Sequence, residues 1–403
     1  MATLKPFAAL RPQPELAARI CELPYDVYTS AEAAIVAQGN PFSFLHVSKP
    51  EIDLEPGIDP YDGAVYSKGA ENFQLLQEQG ALAQDATPSF YLYRQIMNGH
   101  AQVGLVAAAS CAEYDQGIIK KHELTRPAKE DDRVRHIEAL ESQTGPVFLA
   151  YRAQTAIDEF VAKNTAGYPE VDFTAADGVQ HSSWSITDVD DIAFIESQFA
   201  AIDALYIADG HHRSAAASRV NAARSGAGNS GTFLSVIFPH DQIQVLPYNR
   251  AVHDLNGHTP EDFLKALGEV FEIEASDGQC MASREIGLYL EGKWHGLTFR
   301  ETHRQADSAA GALDVALLQD HVLSPLLGIE DPRTSSRIDF VGGIRGTAEL
   351  ERLVQEGRAD CAFSLYPTSV SELMAIADAG ELMPPKSTWF EPKLRDGMFC
   401  LMI

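Results

Sequence analysis

Positive charge is scarce in this chain: 31 Lys and Arg residues face 57 Asp and Glu residues in a length of 403, a formal charge of -26. A field of that sign repels phosphate backbones and anionic lipid, so neither nucleic acid nor a membrane surface is an expected partner. A small anionic substrate stays open, provided a few Arg, Lys and His side chains reverse the field inside one pocket. No apolar run approaches the ~18 residues a membrane span needs, and the opening MATLKPFAALRPQPELAARI lacks a basic segment followed by an apolar one. A soluble cytoplasmic protein is therefore expected, with self-association into a homo-oligomer left open. Cysteine is sparse, and Cys21, Cys111, Cys280, Cys361 and Cys400 form no Cys-x-x-Cys pair, so buried free thiols are expected. The chain also lacks a GxSxG elbow, HExxH, GxxxxGK[ST], and GxGxxG after a strand, which removes the commonest hydrolase, zinc-protease and nucleotide-loop templates.

What is present is ordinary globular material, 45% hydrophobic and 22% charged, in a length that exceeds one usual core. Periodicity and turn residues predict a mixed α/β (α+β) chain. Helices are expected over Ser30–Gln38, Tyr66–Gln79, Ile192–Gln198, Pro260–Val270 and Ala348–Gln355, and another carries Val134, Ile137 and Leu140 on one face. Strands are expected at Phe44–Val47, Ser89–Arg94, Val103–Ala109, Ala204–Ala208, Thr232–Phe238, Ile286–Leu290 and Ala362–Leu365, with Asn98-Gly99 closing a hairpin. Residues 157–188 read as helix then loop. A break is accordingly expected near 175–190, dividing an N-terminal α/β unit, 1–185, from a second unit, 186–403, with one composite site drawing on both.

The sharpest chemical signal is ALYIADGHHRSAAA, an apolar strand ending in Asp209-Gly210 before a helix that opens with His211, His212 and Arg213. Asp209 can cap the helix, Gly210 can turn the backbone tightly, and the free first-turn amides with the helix dipole favour an anion. Arg213 adds a fork of donors for phosphate, and a histidine can move a proton near neutral pH. The competing reading is a capped helix with a solvated first turn. Adjacent histidines diverge on a helix and none follows at i+4, so spacing argues against a metal pair here.

Two further clusters carry mixed charge. Lys120-Lys121-His122-Glu123-Leu124-Thr125-Arg126 precedes Asp131, Asp132, Arg133 and His136; Arg133 and His136, three apart on a helix, can face one pocket. The alternative is a solvated, salt-bridged helix face. Near the C-terminus, Met383-Pro384-Pro385-Lys386-Ser387-Thr388 offers a point charge and two hydroxyls, with Lys393 beyond, although a surface loop explains it equally. Arg250, in Asn249-Arg250, is a weaker candidate.

Taken in order, Pro24-Tyr25-Asp26-Val27, His122 to Arg126, Asp132-Arg133, Asp209 to Arg213 and Met383 to Thr388 resemble the domain of unknown function 1015 family along nearly the whole chain. The Asp209 to Arg213 segment with its alanine-rich helix also resembles the ParB/sulfiredoxin superfamily, especially its free-serine kinases. That resemblance implies a ParB/sulfiredoxin-like strand-turn-helix core and a cradle of Gly210, His211, His212 and Arg213 for a phosphoryl donor or phosphoserine. It implies that Asp209 holds the turn or helps position a metal, and that Glu22 or Asp26 is the base for the substrate hydroxyl. The expected activity is phosphate transfer between a nucleotide or pyrophosphate and the hydroxyl of serine, with Mg²⁺ bridging phosphate oxygens. His122, Glu123, Arg126, Arg133, His136, Arg250, Lys386, Ser387 and Thr388 are the expected supporting contacts. Two alternatives are a phosphoserine phosphatase or related phosphomonoesterase, and a nucleotide-sensing binding module.

Overall fold

A computed structural model describes residues 2–403. The chain is a mixed α/β protein that forms two compact units, Met1–Ile243 with Pro392–Ile403, and Gln244–Glu391. The expected break at 185/186 thus differs from the observed one, and the cause is local. Strands Val171–Thr174 and Gln180–Ile186 occupy the stretch read as loop, and the second pairs along its length with Phe90–Met97. Its sequence, QHSSWSI, hides the strand because His181, Ser182 and Ser183 are polar yet fully buried. With these strands in the sheet, the helix Val189–Ala200 continues the same unit.

The first unit is organised by a nine-stranded mixed sheet. Its central order is Ile119–Lys120, Leu205–Asp209, Val147–Tyr151, Thr232–Pro239, His100–Ser110, Phe90–Met97, Gln180–Ile186 and Val171–Thr174, and Leu4–Lys5 pairs with His100–Ser110 off this path. The hairpin at Asn98-Gly99 forms where expected, with Met97 opposite His100. Leu92, Leu105, Val147, Leu149, Ile207, Phe233 and Ile237 fill the core, and Phe199 and Ile195 close it from Val189–Ala200. The alanine-rich helix His211–Arg224 packs by small side chains: Ala215 and Ala217 enter that core, while Ala216 and Val220 meet Ile137 of the helix Pro127–Leu140. A smaller core joins Leu10, Ile20, Phe44, Val47, Phe73 and Leu140.

Phe44–Val47, expected as a strand, is instead the entry to a short helix, Leu45–Ser48. Four residues, three of them apolar, carry no periodicity that separates the two states. The helical turn lets His46 reach the Asp53 carboxylate at 2.9 Å and the Asn40 carbonyl at 3.1 Å, closing the segment on itself.

The second unit holds a six-stranded antiparallel sheet in the order Phe271–Ala275, Lys293–Phe299, Glu285–Leu290, Cys361–Leu365, Tyr248–Val252 and Ile338–Gly342. Helix Gly346–Gln355 covers it through Leu350 and Leu353, packed with Tyr289, Val341 and Ala362. All five cysteines are free thiols and all but Cys280 are buried. Among the described residues no helix is long and apolar enough to cross a membrane.

Candidate functional site

Strand Leu205–Asp209 delivers the chain to Gly210, whose φ of 100° lies in the left-handed region and turns the backbone into helix His211–Arg224. A side chain there would be strained by that φ, and its Cβ would come within 3.1 Å of the Arg213 guanidinium. Gly210 is therefore the N-cap, and the expected cap by Asp209 does not form, since no side chain caps this helix. Asp209 ends the strand, and its carboxylate lies 3.4 Å from Arg213 Nη2 and 3.8 Å from Lys393 Nζ. Burial alone would raise its pKa, but Lys393 and Arg213 outweigh that and hold it below the ordinary carboxylate range.

Arg213 curls back over its own helix start and donates from Nη1 to the Pro146 carbonyl. It reaches a cavity of about 30 Å³ whose walls include Tyr25, Arg133, His136, Gly145 and Asp396. Gly145 matters by absence: a Cβ there would stand 2.9 Å from Asp396 Oδ1 and 3.4 Å from Arg213 Cδ. Arg133 enters from helix Pro127–Leu140, its guanidinium 3.7 Å over the Tyr25 ring and 2.8 Å from Asp132. The Tyr66 hydroxyl in turn donates to Asp132 at 3.0 Å. Two buried, planar forks of donors thus converge on one small space, which suits an oxyanion. The volume exceeds the ~10–15 Å³ that one water needs.

Asp396 is the residue that sequence reasoning missed. It is buried, its Oδ1 has no hydrogen-bond partner, and burial pushes its pKa up to about 7; Arg213 pulls the other way and Asp26 adds to the rise. A carboxyl that titrates near neutrality between two guanidiniums can hold or release a proton at the bound group. Its backbone is fixed by a bridge to Glu22: the Glu22 amide donates to Asp396 O at 3.2 Å and the Asp396 amide donates to Glu22 O at 2.9 Å. The expected base Glu22 is thus paired with Asp396 through the backbone. Burial raises the Glu22 pKa, offset in part by a 2.6 Å hydrogen bond from Ser43 Oγ. Asp26 is exposed and acts electrostatically on Arg213, His212 and Asp396.

The two adjacent histidines part company. His212 turns outward, where its Nε2 accepts from the Arg126 amide at 3.1 Å; burial lowers its pKa. His211 turns inward against His122, ring centroids 4.5 Å apart and edge to face. Burial depresses both, His122 to about 4, so both rings are neutral at physiological pH. Glu123 brings a carboxylate oxygen to the same place, the three ligand-type atoms lying within 4.8 Å of one another. Two imidazoles and one carboxylate do not match Mg²⁺, which prefers a shell of oxygens. His136 lines the main cavity and donates through Nε2 to the Val47 carbonyl at 3.0 Å; burial first, then Arg133, lowers its pKa to about 4.

Arg250, Lys386, Ser387 and Thr388 belong to the second unit. Arg250 is buried and donates to the carbonyls of Tyr248 at 2.6 Å and Lys386 at 3.0 Å, with its guanidinium 4.6 Å from the Phe340 ring centroid. Ser387 Oγ donates to the Pro384 carbonyl at 2.6 Å, while Lys386 is exposed.

The chain belongs to the family described as Protein of unknown function (DUF1015), which it matches over residues 4–316. No curated protein matches it. Among solved structures, a free serine kinase in complex with AMP is 16% identical with a TM-score of 0.32, covering 71% of this chain and 86% of that one. SbnI with a C-terminal truncation, from Staphylococcus aureus, is 12% identical with a TM-score of 0.40, covering 74% and 85%. A conserved hypothetical protein from Pyrococcus furiosus is 16% identical with a TM-score of 0.31, covering 73% and 93%. Likenesses this weak carry no weight on activity.

Proposed function

We propose that this member of the DUF1015 family is a phosphotransferase of small-molecule metabolism, moving phosphate between a nucleotide or pyrophosphate and the hydroxyl of serine or a similar amino acid. The observation that carries it is the convergence of Arg133, Arg213 and a near-neutral Asp396 on one small cavity. The choice of serine comes from the resemblance of Asp209 to Arg213 to the free-serine kinases.

In the transfer direction, the acceptor hydroxyl attacks phosphorus as the bond from phosphorus to the bridging oxygen breaks. The two guanidiniums neutralise the charge on the transferring group's oxygens, already aligned and shielded from water. Asp396 takes the hydroxyl proton, and in the reverse direction returns it to the leaving oxygen. A pKa of about 7 serves both directions at physiological pH. Asp209 and Lys393 hold Arg213 at the helix start, and Gly145 and Gly210 keep the space around it open.

Phosphorus NMR of the purified protein with serine or phosphoserine and a panel of ATP, ADP, AMP and pyrophosphate tests the reading. Transfer that needs a diphosphate-containing partner is the expected result. Release of inorganic phosphate from phosphoserine alone identifies a phosphomonoesterase, and tight nucleotide binding without any product over hours identifies a sensing module; either sinks the transferase.

A further inference from the structure

Beyond the arginine cavity, a second constellation lies at the start of helix His211–Arg224. His122 is 2% exposed and His211 is 6% exposed. His122 Nδ1 and His211 Nε2 are both buried without a hydrogen-bond partner. Buried polar atoms are almost always paired, so two orphaned nitrogens on touching rings are a feature that calls for a ligand. Ring packing alone would leave both unsatisfied, whereas a cation shared between them would satisfy both.

We infer that His122, Glu123 and His211 bind a first-row transition-metal dication, Zn²⁺ being the best match, with one coordination position left open. Two imidazoles and a carboxylate form a three-ligand set of the kind that holds catalytic zinc with water or substrate in fourth place. A backbone contact with Ile207 orients His122, the type of outer support that fixes the tautomer of a ligating imidazole. Tetrahedral zinc sets its ligand atoms roughly 3.4 Å apart. The three ligand-type atoms already lie within 4.8 Å of one another. Sequence spacing concealed the site, since His211 finds its partner 89 positions earlier and not one helical turn away.

The site is independent of the phosphotransferase reading, and its test uses no activity. Tag-free, chelator-stripped full-length protein is titrated with Zn²⁺ by calorimetry and elemental analysis, and with Co²⁺ by visible absorption. One zinc per chain and a tetrahedral cobalt spectrum are expected, with affinity falling at least ~100-fold in His122→Ala and in His211→Ala. Glu123→Gln, a change at an exposed side chain, covers the case in which a histidine variant fails to fold: about tenfold weaker binding is expected there. Failure of the folded protein to retain zinc, or undiminished binding in folded His122→Ala or in Glu123→Gln, overturns the assignment. Zinc binding without phosphoryl turnover refutes the proposed function and leaves this site standing; turnover without zinc binding does the reverse.

Discussion

Two buried arginines, Arg213 in the first unit and Arg250 in the second, started from the same expectation of phosphate binding and have opposite surroundings. Arg213 pairs with Asp209 at 3.4 Å and lines a cavity that Asp396 and a second guanidinium, Arg133, also line. Arg250 is plugged by backbone carbonyls and an aromatic face, and burial lowers its pKa against an opposing influence from Tyr248. Burial of a cation is common to both. Open space and a titratable carboxyl beside it belong to Arg213, whereas Arg250 ties a loop to a sheet.

The largest effect is expected on removing Arg213. Arg213→Ala is expected to lower kcat for phosphoryl transfer by about 10²–10³-fold, while circular dichroism stays that of the folded chain; retained turnover would place Arg213 with Arg250. Next in size, Asp396→Asn is expected to cut kcat by roughly 10²-fold and remove the inflection near pH 7 from the rate profile. The same change acts on stability with a definite sign. A carboxyl whose folded pKa is raised keeps its proton where the unfolded chain has lost it, so stability falls as pH rises from about 4 to about 7. Asp396→Asn should thus raise Tm at pH 8 and leave it unchanged near pH 3, a stabilisation of up to ~4 kcal/mol at one pKa unit per 1.4 kcal/mol.

His136 works in the other direction. Its folded pKa of about 4 lies below the ordinary 6.5, so the unfolded chain takes up the proton first and stability is lost as pH falls from about 6.5 to about 4. Denaturant titrations should show this loss, up to ~3 kcal/mol, shrinking in His136→Asn; an identical acid-side slope in the variant would contradict the buried neutral ring. The smallest effect belongs to the second unit. Lys386→Ala, at an exposed side chain, should move stability by less than ~0.5 kcal/mol and leave turnover within about twofold.

Legibility followed the range of the interactions. The strand, turn and helix around Asp209 to Arg213 could be read because an apolar run, a glycine and a polar first turn are adjacent in the chain. The shared orientation of Arg133 and His136 follows from helical spacing, and both reach the cavity. Asp396 could not be found that way. It comes to Arg213 only because the chain returns to the first unit after Glu391, and Arg395-Asp396-Gly397 looks like any polar turn until its burial is known. The pairing of His122 with His211 is equally non-local. Polar composition hid the strand Gln180–Ile186, and with it the extent of the first unit.

Calorimetric titration of phosphoserine into the folded protein tests most directly that the two-arginine cavity receives a phosphoryl group. Binding is predicted in the unaltered chain and in Lys386→Ala, and weakening by at least ~10-fold is predicted in Arg133→Ala and Arg213→Ala, one lost charge-assisted contact being worth about 1.5–3 kcal/mol. Equal affinity in all four proteins would contradict it.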